Sequence, residues 1–161
     1  HYIEKYDIWS SYRPEDKGVL VAYASIHGHP AAAAKEMAKI LKEKGAEKVV
    51  LCDLSRDDMA EAVEDAFRYD TLLLAAATYN AGVFPCMEHF LLHLKGKNYQ
   101  KRRVGILENG TWAPMAAKTM KGILDGMKDV EICDTVVSIK SAMKETDRAN
   151  MEKLAEELLA K

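Results

Sequence analysis

The sequence predicts one doubly wound α/β domain, a five-stranded parallel sheet in the order 2-1-3-4-5 with helices on both faces. Three observations predict it. Five short apolar, largely β-branched runs recur along the 161 residues, of the kind buried on both faces of a parallel sheet. Amphipathic stretches with helical spacing lie between them, and such alternation builds βαβ units. Right-handed crossovers then leave few topologies at this length, of which 2-1-3-4-5 is the expected one.

Each element has its own justification. Residues 2–12 read as an extra helical segment ahead of the first strand, with Ile3, Tyr6 and Trp9 spaced three apart. Such a stripe suits either packing on the domain's own surface or a connector to another domain. Residues 19–24 (Val-Leu-Val-Ala-Tyr-Ala) form the first strand. A helix follows over 30–44, with Ala33, Met37, Ile40 and Leu41 at helical spacing, Pro30 at its first position and Gly45 as its stop. The second strand is 49–52. Residues 57–68 then keep Met59, Val63, Ala66 and Phe67 on one stripe. Residues 72–77 are the third strand, 85–94 a helix opened by Pro85, 104–107 the fourth strand and 114–124 a helix opened by Pro114. The fifth strand is 132–139, and Thr146 is expected to cap a closing helix through Leu158.

Composition narrows the function classes. With 48% hydrophobic side chains the chain can bury a real core, which excludes disorder and collagen-like or mini-protein scaffolds. A formal net charge of -2 gives no bulk attraction to nucleic acid or to an anionic membrane. No run approaches the roughly 18 apolar residues of a membrane span. Cys52, Cys86 and Cys133 are odd in number, widely spaced and without a C-x-x-C pair, which points to reduced thiols and a cytoplasmic setting. The chain opens on His1 rather than Met with no signal-peptide pattern after it, so a fragment or processed product of something longer is expected.

In an open α/β sheet the ligand crevice lies outside the carboxyl ends of the strands where the strand order reverses. The loops after strands one, three and four are therefore the informative ones. The first is Ser25-Ile26-His27-Gly28-His29-Pro30, leading straight into a helix. Its backbone N–H groups and the helix N-terminus favour an anion, and Gly28 permits close approach. The spacing is neither G-x-G-x-x-G nor a P-loop, which removes the main support for NAD or nucleoside triphosphate. The second loop is Thr78-Tyr79-Asn80-Ala81-Gly82-Val83-Phe84-Pro85 and the third Glu108-Asn109-Gly110-Thr111-Trp112-Ala113-Pro114. Both pair an aromatic ring, which offers a stacking face, with Asn and Gly, which let the backbone meet a planar heterocycle edge-on. One such loop is an ordinary turn; three on successive ligand-edge strands, one suited to an anion and two to a flat ring, describe a phosphorylated planar ligand.

These loops, with Ala75-Ala76-Ala77 leading into the second, resemble the FMN loops of the flavodoxin-like domain of flavodiiron proteins, also called A-type flavoproteins. The resemblance covers nearly the whole chain, and the second loop ending in Phe84-Pro85 is its most specific part. It implies a flavodoxin-like fold and FMN as cofactor. Ser25, Ile26, His27, Gly28, His29 and Pro30 would hold the phosphate, Tyr79 and Trp112 would flank the isoalloxazine, and the backbone from Thr78 through Asn80 and Ala81 to Gly82 would face its N5 and N3 edge. Phe84, Asn109, Gly110 and Thr111 would complete the loops. Residues 1–17 look like the family's connector from an upstream metallo-β-lactamase-like di-iron domain, leaving 18–161 as the FMN domain. The implied function is electron relay from a redox carrier such as rubredoxin to that di-iron site, in an oxygen or nitric oxide reductase whose parent chain can form a homodimer. No residue of this chain then acts as acid, base or nucleophile, since the flavin performs the redox chemistry. Three positions depart from the family's pattern: Pro30 where Thr is usual, His29 in place of an amide side chain, and Glu108 where a small residue is usual. Two other readings stand beside this one, an FMN-free structural or partner-binding domain and a small FMN quinone reductase.

Other constellations carry less. His89 and His93 are four apart on a helix but have no third ligand beside them, and read as a surface pair. Cys86 at a helix start is a candidate for a lowered thiol pKa near the flavin edge, against a small apolar packing role. Lys95, Lys97, Lys101, Arg102 and Arg103 read as a solvated connection, with a docking patch for an acidic electron carrier as the functional alternative.

Overall fold

The computed structural model describes residues 16–24, 29–79, 82–83, 85–109, 116–127, 129–139 and 145–160. The expected segment at 2–12 lies outside these. In chain order the elements are β1 (Asp16–Ala24), α1 (His29–Glu43), β2 (Val49–Asp53), α2 (Met59–Arg68), β3 (Tyr69–Tyr79), β4 (Gly82–Val83), α3 (Pro85–Gly96), β5 (Arg102–Asn109), α4 (Ala116–Asp125), β6 (Val130–Ile139) and α5 (Glu145–Leu159). The five long strands are parallel and lie in the order β2-β1-β3-β5-β6, the predicted order 2-1-3-4-5. The parallel sheet has the five strands expected; beside it β4 is a two-residue strand that pairs antiparallel with the end of β3.

Why the strands are near-continuous apolar runs is visible in the two cores. Side chains of a strand alternate between faces. Leu20, Ala22, Leu72, Leu74, Val104 and Ile106 face the layer of α2, α3 and α4, while Val19, Val21, Leu73, Ala75 and Leu107 face α1 and α5. Both layers exclude water, so neither set can be polar.

Helix ends follow local chemistry. Gly45 sits at φ 101°, and its N–H donates to Lys42 O while Ala46 N–H donates to Leu41 O, the paired bonds of a Schellman stop. In α3 the same pair is made by Asn98 (φ 60°) to Lys95 O and Tyr99 to Leu94 O. Tyr99 and Leu94 are both fully buried there, so the stop also closes the core. Asp58 caps α2 through Ala60 N–H, while Asp57 turns back to accept from Asp53 N–H. One cap differs from expectation. Thr146 lies inside α5, which begins one residue earlier at Glu145.

Of the basic run, Lys95, Lys97 and Lys101 are exposed as expected, while Arg102 and Arg103 are a correction. Arg102 is only 3% exposed and so is no solvated connector. Its guanidinium donates to Tyr69 O at 3.1 Å, Gln100 O at 2.8 Å and Phe67 O at 2.6 Å, and it lies over the rings of Phe67 and Tyr99. Arg103 donates to the carbonyls of Glu157, Leu158 and Ala160 at the end of α5, where a cation meets the negative end of the helix dipole. These two arginines lock the amino edge of the sheet, the end opposite the predicted loops.

Candidate functional site

The strand order places β1, β3 and β5 side by side, so the three loops that leave their carboxyl ends emerge in a row about 5 Å apart. β1 and β5 end within one residue of the same level on β3, which runs on past both to Tyr79. Ala24 pairs with Ala76 across β1 and β3, and Ala77 with Asn109 across β3 and β5. Ala24, Ala75 and Ala76 are fully buried at this edge, and their small side chains keep the edge low beneath whatever lies above it.

The first loop runs into α1, whose first turn carries no acidic residue, unlike those of α2, α3 and α5. The positive end of its dipole is therefore open to an anion. The helix begins at His29, which makes Pro30 its second residue rather than its first. Either position lacks an intrahelical partner for its N–H, so Pro30 costs the helix nothing while removing one amide donor from the anion site.

The second loop is a hairpin. β3 outruns its parallel neighbours, then Thr78 pairs with Val83 and Tyr79 with Gly82, which leaves Asn80 and Ala81 as the two-residue connection. Pro85 follows at the first position of α3, where its ring suits the helix start. This hairpin was not anticipated. Its signal was present, however: Asn and Gly one residue apart, between β-formers on both sides, approximate the turn composition that tight hairpins require. α4 packs against β4, so the hairpin is braced from the side of the third loop.

At the third loop Glu108, just below Asn109, is 6% exposed. Its Oε1 accepts from Ala117 N–H at 3.0 Å, in the first turn of α4, and its Oε2 accepts from the Ser138 hydroxyl at 2.5 Å. Sequence reasoning noticed this residue only as a departure from a pattern; its bonds to two other elements are long-range and left no sequence signal.

Of the predicted site residues, His29 and Pro30 stand in α1, Thr78 and Tyr79 at the end of β3, Gly82 in β4 and Asn109 at the end of β5, all on this one edge. Ser25, Ile26, His27, Gly28, Asn80, Ala81, Phe84, Gly110, Thr111 and Trp112 lie outside the described residues. The backbone frame fits a phosphorylated planar group: an uncontested helix N-terminus on one strand, and a projecting hairpin and a third loop on the next two. His89 and His93 are exposed on α3, and among the described residues no group of three or more His, Cys, Asp and Glu side chains is placed to hold a metal. Among the same residues no helix is long and apolar enough to cross a membrane.

Cys86 is half-buried in the first turn of α3, and burial pushes its thiol up, with the Asp53 charge adding to this against the pull of its own and Met87's backbone N–H groups. The lowered pKa considered for it is thereby overturned. Burial, then the nearby Asp57 carboxylate, pushes the Cys52 thiol up to about 12, and burial with Glu157 pushes Cys133 up to about 11. All three thiols are free, and burial raises each of them, which disfavours the thiolate.

The flavodoxin family model matches residues 21–153. The chain belongs to the flavodoxin family. Solved structures agree in fold. Rubredoxin oxygen:oxidoreductase from Desulfovibrio gigas superposes with a TM-score of 0.89 at 20% identity, over 97% of this chain and 38% of that one. A mutant of the flavo di-iron protein from Thermotoga maritima gives 0.80 at 27% identity, again over 97% and 38%. A flavodoxin from the domain Archaea gives 0.74 at 16% identity, over 89% of this chain and 96% of that one. This flavodoxin-family chain thus spans about 38% of the length of the flavodiiron structures it matches. The resemblance drawn from its loops, to the flavodoxin-like domain of a flavodiiron protein, agrees with both comparisons. No curated protein matches it.

Proposed function

We propose that this chain is the FMN-binding electron-transfer module of a flavodiiron oxygen or nitric oxide reductase. The observation that carries the reading is the row of adjacent strand ends at β1, β3 and β5, with β3 running past its two neighbours into the hairpin between them. Likeness to flavodiiron structures over 97% of this chain supports it.

In this reading Ser25 to Pro30 and the amides at the start of α1 hold the phosphate, and His29 adds a group able to carry positive charge beside it. Tyr79 and Trp112 flank the ring system. Backbone groups from Thr78 to Gly82 orient its edge, because a hairpin tip has amides and carbonyls that no sheet neighbour uses. Asn109, Gly110, Thr111 and Phe84 close the sides. FMN when bound supplies the redox chemistry. The chain's own work is to bind the cofactor, turn one edge of it outward and keep water from the other. Electrons would arrive from a rubredoxin-like carrier and leave for a di-iron domain encoded upstream, in a cytoplasmic parent protein that forms a homodimer.

One observation favours the FMN-free reading: Pro30 within the first turn of α1 leaves the phosphate one amide fewer. The test is reconstitution. Chemically reduced, FMN-loaded chain mixed anaerobically with nitric oxide is expected to react slowly alone and orders of magnitude faster with an iron-loaded di-iron domain. Rapid turnover by the metal-free chain alone would return the quinone-reductase reading to first place.

A further inference from the structure

We propose that Glu108 is a positioning residue for the planar ligand, acting through α4 on both ring-side loops at once; this rests on the flavin reading above. A nearly buried carboxylate is retained only where its oxygens are satisfied, and both of these are. The partners are informative. Ala117 N–H is one of the four α4 amides without an intrahelical acceptor, so Glu108 does from β5 what a cap residue would do from the helix's own sequence. That bond ties the end of β5 to the first turn of α4, the two elements that the third loop connects. α4 in turn packs against β4, so the same bond braces the hairpin that forms the second loop.

The Ser138 bond depends on an irregularity in the sheet. Val104 pairs with Ile132, yet Ile106 pairs with Val136, so β6 takes two extra residues opposite Gly105. Without them Glu108 would face Val136, which has no donor side chain; with them it faces Ser138. The irregularity is held from α5, where the Glu157 carboxylate accepts from both Thr135 N–H and the Thr135 hydroxyl. Gly105 completes it, since a Cβ there would stand 3.0 Å and 3.1 Å from the Leu158 and Leu154 methyl groups of α5. A chain of contacts therefore runs from α5 through β6 to Glu108 and on to the loops, and its product is one satisfied carboxylate at the base of the site.

Three variants read it by FMN titration of apo-protein, each at a temperature where circular dichroism shows it folded. Glu108→Ala removes both bonds and is expected to raise the FMN Kd by about tenfold or more, the scale of losing a capped, preorganised loop. Glu108→Gln keeps an oxygen for Ala117 N–H and turns its amide toward the Ser138 hydroxyl oxygen, so its Kd should stay within about threefold of the parent. Parent-like affinity in Glu108→Ala would reduce Glu108 to a stability role. A loss in Glu108→Gln equal to that in Glu108→Ala would show that charge and not position matters. Should Glu108→Ala not fold, Ser138→Ala decides: a severalfold weaker Kd supports the proposal and an unchanged one overturns it. Should the parent chain take up no FMN, the functional reading fails by itself, and positioning is read without ligand. In a Trp9→Phe background Trp112 is the sole tryptophan of the two. Acrylamide quenching of the apo-protein should rise with Glu108→Ala and hold with Glu108→Gln; equal quenching in all three would overturn the proposal.

Discussion

Replacing Arg102 by Met tests whether the amino edge of the sheet is scaffold, separate from the ligand edge. Methionine refills much of the arginine stem but donates nothing, so Tyr69 O, Phe67 O and Gln100 O all lose a charged donor. Only the Tyr69 bond is buried, and its loss should cost about 2 kcal/mol. The other two carbonyls are partly accessible and regain water, which limits them to roughly 0.5–1 kcal/mol each. Lost stacking on Phe67 and Tyr99 adds about 1 kcal/mol. Against these stands relief of guanidinium desolvation, the same burial that pushes the Arg102 pKa down, and it offsets about 1 kcal/mol. The net loss is about 3–4 kcal/mol, or a urea midpoint lowered by about 1.5–2 M at a slope of about 2 kcal/mol/M. Equilibrium urea denaturation of parent and variant measures it, and FMN affinity of the folded variant should be unchanged because the loops lie at the opposite end. A loss below about 1 kcal/mol would refute the reasoning, since the carbonyls would then be served by water.

Gly105→Ala should destabilise by about 1–3 kcal/mol through overpacking against Leu154 and Leu158, read as a lowered melting temperature. Trp112→Ala should weaken FMN binding by on the order of 1 kcal/mol while leaving apo-protein stability near the parent's, checked by titration and by thermal unfolding without ligand. Burial pushes the Glu157 carboxyl up, but the two donations from Thr135, with help from Lys153, outweigh this and hold it below the usual carboxylate value. A depressed folded pKa contributes stability above the unfolded value of about 4.3 and loses it as pH falls through the folded one. Glu157→Gln should therefore be less stable than the parent at pH 7, and urea midpoints of the two should converge below about pH 4.

Periodicity carried most of the fold. The runs at 72–76 and 104–107 are buried on both faces and had to be apolar throughout, so their pattern was unambiguous, and the strand order followed from length and handedness. Ends were less legible, for β3 extends from Tyr69 to Tyr79 and β5 from Arg102 to Asn109. Those extensions are decided by tertiary partners: Arg102 binds carbonyls 33 and 35 residues away, which no local window contains. The same holds for the site. His29, Pro30, Thr78, Tyr79, Gly82 and Asn109 were placed at one edge by the strand order alone. The hairpin needed the register of Thr78 with Val83, and the role of Glu108 needed an irregularity in β6 that shifts Ser138 into reach. A register shift of that kind depends on Glu157 and Gly105 together, and neither residue signals it alone.

The central claim is that the carboxyl edge of this sheet takes FMN, and titration of the apo-protein with FMN, followed by visible absorption and flavin fluorescence, tests it most directly. The account predicts saturable one-to-one binding, with quenched fluorescence as Tyr79 and Trp112 flank the ring, and competition by inorganic phosphate at the start of α1. Free-flavin spectra at every FMN concentration, in a chain that circular dichroism shows to be folded, would contradict it.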